Sequence, residues 1–119
     1  MNLNTLSAAL CVAYNIADVD GIKDEEREIF VKEINSFKLS REQRVETINR
    51  ALGMDVLDAI ITLRDADSAA RDEADALVII TMFADGELSE KEAGAYILMN
   101  KLCHFRLIGL EEAHKILGF

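Results

Sequence analysis

The chain has no proline and no tryptophan, and it has only two cysteines and two histidines. Without proline, nothing in the covalent sequence forces a break inside a helix. Cys11 and Cys103 belong to no CxxC pair, and two cysteines are too few for a disulfide framework. They read as small core residues in a reducing compartment. Two histidines without cysteine or aspartate at ligand spacing make no zinc site. Basic residues are also few: 13 against 22 acidic ones, a net charge of −9. That balance excludes a phosphate-backbone binder, which needs clustered Lys and Arg. The longest apolar run, "ALVIITMFA", is far short of a membrane span. "MNLNTLSAALCVAYNIADVDG" carries no basic residue ahead of its apolar part, so no secretory signal is expected. The six glycines are scattered, leaving no phosphate-binding loop, and no nucleophile elbow occurs. A soluble, cytoplasmic protein with no nucleic-acid partner and no membrane insertion is expected.

What remains is a chain of 119 residues, half of them hydrophobic. That length predicts one domain over 1–119, with enough apolar content for a single core. The apolar spacing predicts an all-α bundle of about seven helices. The first covers about 3 to 17, with Leu3, Leu6, Leu10, Ala13, Tyr14 and Ala17 on one face. "DVDG" ends it, Gly21 being suited to a left-handed cap. Asp24 is a candidate N-cap for the second helix, whose core face is Ile29, Phe30, Ile34 and Phe37. "SREQ" is a capping box for the third, with Val45, Ile48 and Leu52 facing inward and Gly53 as its stop. Residues 55 to 64 form the fourth. A fifth runs from a turn near Asp67 and Ser68 to about Ala84, and its "LVIITMF" reads as a buried central helix. Ser89 caps the sixth through "SEKE", with Ala93, Tyr96, Ile97 and Leu102 packing inward. Residues 110 to 117 form the seventh.

The chain repeats itself loosely. An apolar helix ends in "ADVDG" in one half and "FADG" in the other, and an acidic helix start follows each time. Asp20 and Asp85 are 65 residues apart (85 − 20). The first loop is one residue shorter, so Ile22 answers Leu88 and Glu26 answers Glu92. Two such halves imply a pseudo-symmetric bundle, since neither alone could bury its apolar face.

In "MFADGELSEKE", residues 82 to 92, the spacing D-G-x-L-S-x-x-E has a physical rationale. Gly86 allows the sharp turn, Leu88 anchors the loop to the core, and Ser89 caps the helix. Glu92, in the first turn, can swing toward Asp85. This is the latter half of a calcium-binding loop. The first half is missing, because Thr81 and Phe83 stand where two ligands are needed. Asp85 and Glu92 alone cannot fill the six to eight oxygen positions calcium takes. The other loop offers Asp18, Asp20 and Glu26. If the loops meet, five carboxylates share one or two hard cations: Ca²⁺, Mg²⁺ or Mn²⁺. The plainer reading is ordinary helix punctuation, since Asp, Gly and an early Glu are common at helix ends.

At these residues the chain resembles the TerB-like family, associated with bacterial tellurite resistance and stress responses. The likeness rests on "ADG" at 84 to 86 followed by "LSEKE", and on "ADVDGIKDEE" at 17 to 26. It runs from the first helix to the last. The resemblance implies a compact all-helical domain and a divalent cation held by clustered acidic residues. It also implies protein partners, including membrane-associated stress-response proteins, and no catalytic residues. Asp85 and Glu92 answer the family's Asp-Gly and downstream Glu. Asp20 and Glu26 answer them across the one-residue deletion, and Asp18 is added for its proximity.

Two other readings stand beside this one. A helical magnesium-dependent nucleotide pyrophosphohydrolase holds its metal with acidic pairs three residues apart, as in Glu25 with Glu28 and Asp72 with Asp75. Its phosphates would also need gathered cations, and Lys23, Arg27, Lys32, Arg64 and Arg71 are spread along the chain. An ion-free adaptor would present either the acidic face of the second helix or "CHFRLIGL". In that segment Phe105, Leu107, Ile108 and Leu110 read as core and staple residues.

Overall fold

In the computed structural model the described residues, 1–86 and 88–119, form seven α-helices and no strand. These are α1 (Leu3–Ala17), α2 (Asp24–Ser36), α3 (Arg41–Gly53), α4 (Val56–Asp65), α5 (Ser68–Met82), α6 (Glu90–Cys103) and α7 (Leu110–Leu117). A 3₁₀ turn, Asp18–Asp20, follows α1. The starts follow the cap residues. Asn2 Oδ1 accepts from the Thr5 amide at 2.8 Å, Ser40 Oγ from Gln43 at 3.1 Å, and Asp67 Oδ1 from Ala70 at 2.8 Å. Each satisfies a backbone donor that the first helical turn leaves unpaired.

α1 and α5 form the centre and pack on each other. Leu6, Leu10, Val12 and Ile16 of α1 meet Leu77, Val78 and Ile80 of α5 in one core. α1 is buried nearly all round, so its single apolar face in the helical spacing understated its role. A helix apolar on every side needs neighbours on every side.

The halves interlock by exchange. α3 lies on α1 and α7 lies on α5, whereas α2 crosses to α5 and α6 crosses to α1. α4 links the halves and packs on α1 and α6. Each half therefore completes the other's core. The crossing also carries the end of the first Asp-Gly loop to the second, because α2 and α6 start where α1 and α5 stop.

Three expected core faces are corrected. On α3, Val45, Ile48 and Leu52 are exposed, and Thr47 with Ala51 faces inward instead. Thr47 tolerates burial because its hydroxyl donates to the Gln43 carbonyl at 2.7 Å. On α6, Tyr96 is buried but Ile97 and Leu102 are exposed. Phe105 and Ile108 are core, while Leu107 and Leu110 are exposed. α3 and α6 sit on the outside of the bundle, where a narrow strip of small or hydrogen-bonded residues suffices for contact.

Candidate functional site

Both Asp-Gly turns use glycine in a left-handed conformation, Gly21 at φ +92° and Gly86 at φ +81°. A side chain there would strain the turn. The two turns meet. The 3₁₀ turn after α1 packs on α6, and Lys23 Nζ lies 2.5 Å from Asp85 Oδ2. Lys23 is thus the cation at the centre of the junction. Its ammonium is held above the ordinary lysine value, first by the hydrogen bond to Asp85, with Asp20 and Glu92 adding to it.

Behind this ion pair are two carboxyls that water barely reaches. Glu26 is 2% exposed and Glu92 is 1% exposed. Glu26 Oε1 accepts from the Lys23 backbone amide at 2.8 Å, which caps α2 in reverse. The expected cap, Asp24, is instead the first residue of the helix and is exposed. Ser89 Oγ accepts from the Glu92 amide at 3.0 Å. Among the described residues no bond returns from the Glu92 carboxylate to Ser89, so only half of the "SEKE" box forms. The Glu92 side chain turns inward beside Glu26, and its Oε2 is buried without a partner. Burial raises the Glu26 carboxyl above its ordinary value, and Glu92 and Asp85 add to that after the Lys23 amide has offset part of it. Like charges out of water favour sharing a proton or a cation.

The structure therefore brings Glu26, Asp85 and Glu92 to one junction, with Asp20 at its edge acting on Lys23. Asp18 is exposed; its backbone carbonyl accepts from Gly21. Leu88 does not anchor the loop, being 41% exposed. Among the described residues, no three carboxyl, imidazole or thiol groups stand ready as a metal-ligand set. The sequence placed Lys23 only among scattered cations; its position between Gly21 and the acidic start of α2, a lone cation in an acidic run, was the signal for its place at this junction.

The three-residue acidic pairs have other surroundings. Glu25 and Glu28 are exposed. Asp72 takes a two-pronged contact from Arg106, at 2.9 Å to each oxygen. Asp75 is fully buried and accepts from Tyr96 Oη at 2.8 Å and from the Ile108 amide at 3.4 Å. Both cysteines are buried and free, and burial pushes the Cys103 thiol up to about 12. No helix among the described residues is long and apolar enough to cross a membrane.

The described residues define a bundle of seven helices in two exchanged halves, with the paired acidic turns meeting at one junction. No protein-family model matches the chain, and no curated protein matches it. Among solved structures it is similar to a protein of unknown function from Porphyromonas gingivalis W83, with a TM-score of 0.83 at 18% identity. The match covers 100% of this chain and 91% of that one. At that identity the likeness shows the fold.

Proposed function

We propose that this protein is a non-enzymatic binding or sensing module of the TerB-like type, acting in a stress response through a divalent cation at the Asp-Gly junction. Glu26, Asp85 and Glu92 would hold the ion, with Asp20 next and Asp18 outermost. The observation that carries this reading is the buried Glu92 carboxylate beside Glu26, with one oxygen unpartnered. Oxygen donors alone favour a hard ion such as Ca²⁺, Mg²⁺ or Mn²⁺. Lys23 already neutralises Asp85, so an arriving ion competes with the ammonium. A cation that displaces Lys23 would free the start of α2, which gives binding a conformational readout.

Thermal unfolding with each metal tests the reading. A ligand that binds only the folded form stabilises it by about 1.4 kcal/mol at tenfold excess over Kd. For a domain of this size that is a rise of several degrees in Tm, roughly 4–8 °C per kcal/mol at most. Asp85→Asn should abolish the rise, and Lys23→Met should enlarge it by removing the competitor. A rise that survives Asp85→Asn unchanged places the ion elsewhere. Release of pyrophosphate from a nucleotide panel would instead favour the enzyme reading.

A further inference from the structure

We infer that the open groove between α2 and α3 is a docking site for an acidic amphipathic helix of a partner protein. α2 and α3 leave their connecting turn without packing closely on each other. Between them are two joined hollows, of about 70 Å³ and about 170 Å³, which share Ile34 and Ile48. The floor includes Phe30 and Ile34, and the α3 wall is Val45, Ile48 and Leu52. The wall residues recur at three and four positions, the spacing at which one helix offers a continuous apolar ridge. They are 50%, 41% and 60% exposed, so the described residues leave the ridge largely uncovered.

Charge identifies the occupant. The only charged residues lining the two hollows are Arg41 and Arg44, at the wider end, in a chain of net charge −9. Neither arginine makes an ion pair among the described residues, where the arginines at 27, 50 and 106 do. A groove with an apolar floor and a cationic mouth matches a helix with an apolar stripe and carboxylates at one end. Helix-in-groove recognition reads apolar anchors at such spacing, and complementary charge sets orientation and discrimination. Nucleic acid is a poor match, because the acidic remainder of the surface repels it. The inference is independent of whether the Asp-Gly junction holds an ion.

The probes are two labelled helical peptides of about 18 residues, five turns, with identical Leu stripes. One carries Glu on its polar face and the other Lys. In fluorescence anisotropy the Glu peptide should bind the full chain at least about tenfold more tightly than the Lys peptide. Val45→Gln with Leu52→Gln should weaken it by about tenfold or more, the scale of losing central apolar anchors. Arg41→Glu with Arg44→Glu should reverse the preference. All four positions are on the surface, and unchanged helical circular dichroism confirms folding. Equal binding of the two peptides, no binding of either, or binding indifferent to Val45→Gln would overturn the inference. So would concentration-dependent dimerisation that Val45→Gln removes, since the groove would then belong to a second copy of the chain.

Discussion

Replacing Glu33 by Gln should make the protein more stable at neutral pH. Glu33 lies on the inward face of α2 and is 1% exposed. Its Oε1 accepts from Ser36 Oγ at 3.2 Å, and its Oε2 has no partner. Burial, and then the nearby Glu73 carboxylate, push its pKa from 4.5 to about 7. Ser36 and the Met1 amino group oppose this only in part. The folded state therefore holds a proton that the unfolded chain releases. For a carboxyl raised on folding, stability is greatest below the unfolded value of 4.5 and is lost as pH climbs to about 7. Over that window the loss from Glu33 is roughly 3 kcal/mol, at 1.36 kcal/mol per pKa unit. This is a large share of a typical 5–15 kcal/mol total, roughly a fifth to three-fifths of it. Urea unfolding at pH 5 and pH 7.5 measures it. The native chain should weaken across that interval, and Glu33→Gln should remove most of the difference. Some slope should persist, because Glu26, Glu73 and Asp75 are raised in the same direction by their burial. A Gln variant that keeps the native slope would show Glu33 to be hydrated or paired.

Removing Asp75 should cost about as much, for the opposite reason. Asp75 ties α5 to α6 and to the segment before α7 through Tyr96 Oη and the Ile108 amide. Asn100 Nδ2 donates to the same phenol oxygen at 3.4 Å. Asp75→Ala leaves a phenol and an amide without their acceptor in the core. Orphaned buried groups cost about 1–3 kcal/mol each, so a loss of roughly 3 kcal/mol is expected when the two are combined with some relaxation. Asp75→Asn keeps an acceptor for Tyr96 but turns an NH2 donor toward the Ile108 amide, so it should cost less than the Ala variant without restoring the native value. Tyr96→Phe separates the contributions, since it strips Asp75 of its stronger donor while leaving Ile108 paired. Equal urea midpoints for the Ala and Asn variants would mean that side-chain volume, not hydrogen bonding, holds this corner.

These two carboxyls show where one-dimensional reading stops. Asp75 stands three residues from Asp72, and that spacing fits magnesium ligation as well as a solvated face. The structure separates their surroundings: Asp72 pairs with Arg106 at the surface, and Asp75 turns into the core. Glu33 was open to inspection in the sequence, since it repeats Glu26 at seven positions and shares the face of Ile29, Phe30 and Phe37. Polarity alone hid it, because buried glutamates are rare. On α3 the error ran the other way. Val45, Ile48 and Leu52 have the spacing of a core face, and spacing cannot say whether that face meets this chain or another molecule.

The sequence by itself determined the helices. Local capping hydrogen bonds, absent proline and three-to-four-residue apolar spacing are short-range physics, so α1, α3 and α7 start and stop where these signals put them. It also marked the two Asp-Gly corners as alike. Only the tertiary structure decided that they touch, that Lys23 bridges them, and which apolar stripes are covered. Those outcomes depend on α2 and α6 crossing to the opposite half. Such a choice is made by the packing of surfaces distant along the chain, which no local pattern records.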